Sequence, residues 1–319
     1  MSVRSPRRTI KRTVLAAFVA WLLAVLFAHP FFAVTHRSGG NVLVVEGWMH
    51  REGVDEAAEL FRGGGYERLY VTGIVRPFTY YLANGDSLVV RFQGPTSGVI
   101  QFGTTGLPAA SWQLFLDGRS TLSEAVPTSI STVRTDVKAC HTLTLKARSS
   151  SPPPDSAPVL FVAGMDLNGT NVHSLPVEIT LHRADGSTMA GQPTFSDQAF
   201  HWLVESGVPA DRMLRVPTTV VRGSRTFSMA RDLVAFATTN GIRSFDVATL
   251  GVHARRTWNL YRKAAGPRHV VGVVSLHDPW CQRWTWWTNY YGWFQVLKEC
   301  VAWPLPWLVD EDDPNAQEH

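Results

Sequence analysis

Residues 14–34 read VLAAFVAWLLAVLFAHPFFAV, a stretch without a formal charge whose only clearly polar side chain is His29. About 20 such residues in a helix match the thickness of a bilayer core, so this stretch restricts the chain more than any other feature. The alternatives are a cleaved signal peptide and a buried core helix. A signal peptide has a shorter apolar core and an A-x-A-like exit, and neither is evident here. Arg4, Arg7, Arg8, Lys11 and Arg12 precede the stretch, and Arg37 alone follows closely. That asymmetry predicts a single-pass anchor with its N-terminus in the cytoplasm and the bulk of the chain outside.

The same five charges account for the basic balance. Subtracting five from a net of +4 leaves −1 for the remaining residues, so no nucleic-acid partner is expected. At 319 residues, 45% apolar and 18% charged, the chain is globular and long enough for one large domain or two ordinary ones. Its three cysteines are Cys140, Cys281 and Cys300. An outside location permits a Cys281–Cys300 disulfide, but spacing does not establish one, and inert buried thiols are the alternative.

After the anchor, residues 41–46 (NVLVVE) form a continuous apolar run that suits a buried parallel strand. Val54, Ala57, Ala58 and Phe61 recur at i, i+3, i+4 and i+7, one face of a helix that Gly63, Gly64 and Gly65 stop. Residues 69–72 make a second strand ending at Gly73, and a right-handed crossover makes the two strands parallel neighbours. Residues 77–190 then alternate with period two, as in Trp112, Leu114 and Leu116 or Val177, Ile179 and Leu181. Turn clusters such as Asn84-Gly85-Asp86, Asp117-Gly118 and Asp185-Gly186 and a Ser/Pro-rich stretch at 149–154 separate them. This is the texture of an inserted β-sandwich-like domain.

Helix and strand alternation returns with helices over 195–206, 226–239 and 254–265 and strands over 213–216, 245–250 and 269–276. Joined to the first unit, these predict an α/β fold: a Rossmann-like, doubly wound parallel sheet of about five strands in the order 3-2-1-4-5. The divisions are 1–37 for the basic tail and anchor, 38–76 and 191–276 for the two parts of the Rossmann-like domain, 77–190 for the insert, and 277–319 for the rest. That last part holds Trp280, Trp284, Trp286, Trp287, Tyr290, Tyr291, Trp293 and Phe294. It reads as an amphipathic helix packed against the sheet; an aromatic surface resting on the membrane is the alternative, opposed at the far end by acidic residues 310–313.

Ligands bind such sheets beyond the carboxyl ends of the strands. Glu46-Gly47-Trp48 follows strand one, Gly223-Ser224-Arg225-Thr226 precedes a helix after strand three, and Gly251-Val252-His253-Ala254-Arg255-Arg256 opens one after strand four. Helix N–H groups with Arg255 or Arg256 suit an anion, and His253 suits acid–base work. Glu46 would pair with His253, act as a base or bind a cation. Against this, Ser224 or Thr226 merely caps a helix and the arginines make solvated ion pairs. The chain has no G-x-S-x-G elbow, P-loop, G-x-G-x-x-G after strand one, paired-cysteine zinc spacing or H-E-x-x-H.

VLVVEGW, the Gly73 strand end, GVPADRM, SRTFSMA and LGVHARRTWNLYRKA resemble, as an ordered set, the ElyC/SanA/YdcF family, and the tail DPWCQRWTWWTNYYGW is similar to that of its EGW-containing branch. The resemblance covers 41–76 and 195–303. It implies a Rossmann-like fold, a bacterial cytoplasmic-membrane anchor and a role in envelope polysaccharide metabolism, with no settled reaction. By position it implies a pocket of Glu46, Gly73, Arg225, Thr226, His253 and Arg256. The sequence departs from the family at Gly73-Ile74-Val75-Arg76, where a glycine-rich continuation gives way to the insert. In the insert, Tyr80-Tyr81-Leu82, Gly85-Asp86-Ser87-Leu88 and LFVAGMDLNGTNVHSLPVEIT resemble a calcium-dependent xylan-binding carbohydrate module. Asp166, Asn168 and Asn171 are then the calcium candidates, with a polar turn as the alternative. Trp112 either stacks on a sugar or belongs to the core. The expected function is recognition of a glycan or anionic glycolipid. An enzyme using His253 on a phosphate- or sugar-linked substrate, and a non-catalytic adaptor, are the alternatives.

Overall fold

The computed structural model describes residues 6–151, 153 and 157–304, with side chains from residue 12 onward. Arg4, the side chains of Arg7, Arg8 and Lys11, Pro152, Pro154 and acidic residues 310–313 lie outside the described residues. The chain divides into two compact units, Met1–Ile74 with Ser196–His319, and Val75–Phe195.

The first unit begins with α1 (Pro6–Phe32), whose segment Arg12–Phe32 is long and apolar enough, by length and composition, to cross a membrane. Then β1 (Val42–Glu46) is buried throughout. His50 caps α2 (Arg51–Gly63), accepting the Gly53 N–H on Nδ1 at 3.2 Å, and Val54, Ala57, Ala58 and Phe61 are its buried face. Gly65, at φ +79°, turns the chain where a side chain would be strained. β2 (Arg68–Ile74) returns parallel to β1.

The second unit is an antiparallel sheet of nine strands: β3 (Thr79–Leu82), β4 (Ser87–Gly106), β5 (Ala110–Leu116), β6 (Arg119–Ala125), β7 (Ser131–Ser149), β8 (Leu160–Leu167), β9 (Thr170–Asn171), β10 (Val177–His182) and β11 (Thr188–Ala190). Asp117 and Gly118, both at positive φ (46° and 78°), make the primed two-residue turn between β5 and β6 that Asp-Gly favours. Register breaks between Arg91 and Gly98 divide β4, which pairs with β10 before them and with β8 after them. Its inward positions, among them Leu88, Val90, Ile100 and Phe102, join Trp112, Leu114, Leu143 and Leu145 in one core. Trp112 is fully buried, edge-on to Phe102 at 5.6 Å, so its role is packing and it offers no platform to a sugar.

The first unit resumes with α3 (Phe195–Glu205), β12 (Met213–Thr218), α4 (Arg225–Thr239), β13 (Ser244–Leu250), α5 (Ala254–Ala265), β14 (Val270–Leu276) and α6 (Tyr290–Ala302). Its five strands lie parallel in the order β12-β2-β1-β13-β14. Alternate residues serve opposite faces: Leu43 and Val45 pack with α2 and α3, while Val42 and Val44 pack with Leu233 of α4 and Tyr261 of α5. Both faces being covered explains why β1 reads as a continuous apolar run.

Two features decide what sits at the carboxyl edge of this sheet. The segment after α1 runs antiparallel along β14, exchanging backbone hydrogen bonds between His36 and Val273, and reaches the amino edge where Ser38 N–H donates to Asp246 Oδ1 at 2.6 Å. The end of α1 is thereby held at the carboxyl edge. Secondly, α6 packs on α1 and on the 3-10 turn Gly251–His253, not against the sheet as its amphipathic reading predicts. Val25, Phe32, Val252, Cys281, Trp286 and Val296 form that cluster, which contains no strand residue. Cys281 and Cys300 are both free thiols, the first buried and the second exposed.

Candidate functional site

Because β1 and β13 are neighbours, Glu46 and His253 leave adjacent strand ends. They are not partners. Glu46 is fully buried; its Oε2 accepts from the Thr257 hydroxyl at 3.4 Å, and its Oε1 has no partner among the described residues. Thr72 and the Tyr261 phenol lie alongside, 3.4 Å apart. Burial, and then the Glu46 charge, pushes that phenol well above its ordinary range.

His253 instead meets Glu299 of α6, with Nδ1 and Oε1 2.9 Å apart, and stands edge-on to Trp48. Arg256 donates to the same carboxylate from Nε at 2.8 Å and Nη2 at 3.2 Å. Glu299 is fully buried, while His253 and Arg256 keep a small exposed fraction. Burial pushes the Glu299 carboxyl up, but the hydrogen bonds and charges of His253 and Arg256 outweigh it and hold the carboxyl at about 2. In place of a Glu46–His253 pairing, one of the three roles open to Glu46, the Glu299 carboxylate gathers His253, Arg256 and, at 3.8 Å, Lys298 into a cluster that fastens α6 to the start of α5. Sequence reasoning missed Glu299, and one signal was there: in an aromatic helix it shares the i, i+4, i+7 stripe with Gly292 and Val296.

The other expected pocket residues separate. Arg255 turns to α1, donating to the Phe31 carbonyl with its guanidinium 4.1 Å from the Phe31 ring, and burial lowers its pKa. It ties the apolar helix down and does not face an anion at the helix start. Arg225 is exposed and Thr226 buried at the start of α4, which Ser224 caps by accepting from the Phe227 N–H. With β12 three strands from β13, that loop stands about 14 Å along the edge. Gly73 is buried in β2 opposite Pro217.

What the edge does hold is a cavity of about 480 Å³ lined by His29 and Thr35 beside the end of α1, Glu56 of α2, Gly251, and His277, Asp278 and Arg283 after β14. Its wall is set by backbone bonds: Glu56 Oε2 accepts from the His277 N–H at 2.6 Å, and Asp278 Oδ1 from the Trp280 N–H at 2.9 Å. Gly251 has φ +42°, and a Cβ there would stand 3.0 Å from that of Asp278. Glycine lets the turn after β13 pass this close at a positive φ. His29 Nε2 meets the Cys281 carbonyl at 2.8 Å, fastening α1 to the same wall. Two carboxylates, two imidazoles and a guanidinium around one hollow suit hydroxyl-rich and anionic groups together.

In the second unit, Asp166 lies directly opposite Asn171 in the β8–β9 pair. Asn168 Oδ1 accepts from the Val99 N–H at 2.9 Å and Asn171 Oδ1 from the His173 N–H at 3.0 Å. Two of the three candidate calcium residues thus have their side-chain oxygens engaged in holding the hairpin, the arrangement of a polar turn. Of the two tyrosines in the matching segment, Tyr80 points inward to His173 at 3.0 Å, and Tyr81 is 59% exposed with the Phe161 ring 4.8 Å away. A cavity of about 600 Å³ lies beside Tyr81, lined also by Asn84, Asp86, Arg183 and Asp185. Asp86 is buried and pairs with Arg183 at 2.7 Å.

No protein-family model matches the chain, and no curated protein sequence matches it. The solved structures to which it is similar include a PA14 sugar-binding domain from an RTX adhesin, at 8% identity and a TM-score of 0.16, over 35% of this chain and 52% of that one. They also include a family two carbohydrate esterase from Cellvibrio japonicus, at 7% identity and a TM-score of 0.20, over 74% and 96% of the two chains. A third is a family two carbohydrate esterase from Clostridium thermocellum in complex with cellohexaose, at 10% identity and a TM-score of 0.20, over 72% and 95%. The chain spans about half of the adhesin domain. Likenesses at these scores carry no argument about what this chain does.

Proposed function

We propose that this is a membrane-anchored envelope protein whose first unit, a Rossmann-like domain of the ElyC/SanA/YdcF type, recognises a glycan or anionic glycolipid at the bilayer surface. One observation carries the reading: the polar cavity at the carboxyl edge is lined by His29 of the apolar helix and by Ala33 and Thr35 directly after it. A lipid-linked head group has to be bound where the membrane begins, and here the anchor forms one wall of the hollow. The volume falls within the usual range of small-ligand pockets. Arg283 supplies a cation for a phosphate, and Asp278 and Glu56 accept from sugar hydroxyls. In the second unit, exposed Tyr81 beside Asn84 and Arg183 supplies a further saccharide surface.

A second reading, transfer or hydrolysis of a phosphate- or sugar-linked envelope substrate, rests on the His253–Glu299 pair, since a carboxylate on Nδ1 orients an imidazole for acid–base work. One experiment separates the two. The full chain in phosphatidylcholine nanodiscs is exposed to a polyprenyl-pyrophosphate disaccharide, to polyprenyl phosphate and to the free disaccharide, with and without calcium. Recognition predicts retention of the lipid-linked sugar, weakened by Arg283→Ala or His277→Ala and kept by His253→Ala. Turnover lost in His253→Ala would establish the enzyme instead. Neither binding nor turnover would leave a structural adaptor.

A further inference from the structure

α6 is apolar on two opposite faces. At 3.6 residues per turn, Gly292, Val296 and Glu299 fall on the face packed against α1 and the turn Gly251–His253. Tyr290, Phe294, Leu297 and Val301 recur at i, i+4, i+7 and i+11 and fall on the opposite side, within about 60° of one another. That second face is bare: the four residues are 84%, 50%, 54% and 69% exposed. Just upstream, Trp280 and Trp284 are equally bare, at 63% and 65%. Scattered exposed apolar residues are ordinary, whereas a contiguous patch of this kind marks a contact surface.

The position of α6 along α1 identifies what covers the patch. The Trp287 and Trp21 ring centroids are 6.0 Å apart, and Trp286 Nε1 donates to the Val25 carbonyl at 3.3 Å. These contacts fall about 16 Å and 10 Å before the end of α1 at Phe32, at 1.5 Å per residue. The whole apolar segment is about 31 Å long and matches a hydrocarbon core of about 30 Å. If α1 crosses over its full length, the 3-10 turn Trp286–Thr288 that leads into α6 lies below the outer surface of that core. If only the part before Val25 crosses, about 20 Å of helix faces the same thickness, and the shortfall is met by drawing the flanking aromatic surface into the interface. Either placement brings the bare face of α6 to lipid. Arg283, stacked 4.7 Å from the Trp284 ring, and Lys298 supply cations at the rim of the patch, as interfacial aromatic surfaces do.

We propose that α6, together with Trp280 and Trp284, lies in the interfacial layer of the bilayer that α1 crosses, with Tyr290, Phe294, Leu297 and Val301 turned to the acyl chains. The proposal rests on the reading of α1 as a membrane anchor and on no ligand. It makes the carboxyl-edge cavity open at lipid head-group level.

The test uses the full chain in phosphatidylcholine nanodiscs without glycolipid. In a Cys300→Ser background, where Cys140 and Cys281 remain buried, an environment-sensitive fluorophore is placed by Phe294→Cys, by Phe18→Cys on the exposed side of α1, or by Arg268→Cys at the amino edge of the sheet. The expected result is a blue-shifted emission and loss of fluorescence to spin-labelled lipid at 294 and 18, with quenching by aqueous iodide only at 268. Leu297→Cys repeats the measurement should Phe294→Cys fail to fold. Iodide quenching at 294 with lipid quenching at 18 would overturn the proposal and leave the anchor standing. Protection of 294 from both quenchers would assign the face to a second copy of the chain and also overturn it. Loss of the lipid response at 18 would remove the anchor and this proposal together.

Discussion

Replacing Glu299 by Gln keeps the shape of the side chain and removes the charge that holds His253 and Arg256 at the start of α5. Its carboxyl is held at about 2 against an ordinary 4.5, which corresponds to about 3 kcal/mol of stability at neutral pH. Because the folded value is the lower one, that contribution is complete above the unfolded value and is lost as the pH falls from 4.5 toward 2. About half of it remains near pH 3. The variant also leaves the Arg256 guanidinium without its buried partner, the situation in which broken buried pairs cost about 3–5 kcal/mol. For a unit of this size, about 3 kcal/mol lowers the Tm by about 6–12 °C. The assay is thermal unfolding in detergent by near-ultraviolet circular dichroism, wild type against Glu299→Gln, at neutral pH and near about pH 3. A deficit at neutral pH that shrinks in acid is expected, together with faster hydrogen exchange in α6. A deficit that does not change with pH, or none at neutral pH, would refute the argument that the charge of Glu299 fastens α6.

Trp112→Ala should destabilise the second unit by about 3–5 kcal/mol, read by denaturant unfolding, because it empties the centre of that core; a near-neutral result would mean that the site is not packed as described. Thiol titration in detergent should find Cys300 reactive. Cys281, which burial and then the Asp278 charge push up to about 12, and Cys140, which burial also pushes up, should react only after unfolding. Reporter fusions after Gly40 should be active only outside the cytoplasm, and a fusion active inside would reverse the orientation drawn from the flanking basic residues.

The elements of the first unit were legible because each is announced locally. The helical face of Val54, Ala57, Ala58 and Phe61 is a repeat within one element. The apolar run of β1 reflects a strand covered on both sides, and the neighbouring positions of β1, β2 and β13 follow from right-handed crossovers. The 21-residue apolar segment of α1 needed only composition and length to be seen. Other features were hidden for equally physical reasons. Period-two alternation shows that Trp112 faces the same way as Leu114, but not whether that way is inward; burial in the folded sheet decided it. The tail's amphipathic pattern marks apolar residues without saying which face packs, and the assembled structure set Val296 and Glu299 against α1 and the turn before α5, with Phe294 and Leu297 left bare. Most of the candidate site depends on residues far apart in the chain. His253 and Glu299 meet across an intervening strand, and His29 meets the Cys281 carbonyl only because the segment after α1 doubles back along β14. Periodicity reports which face of one element avoids water; which charged groups are desolvated together is decided only when distant elements close over them.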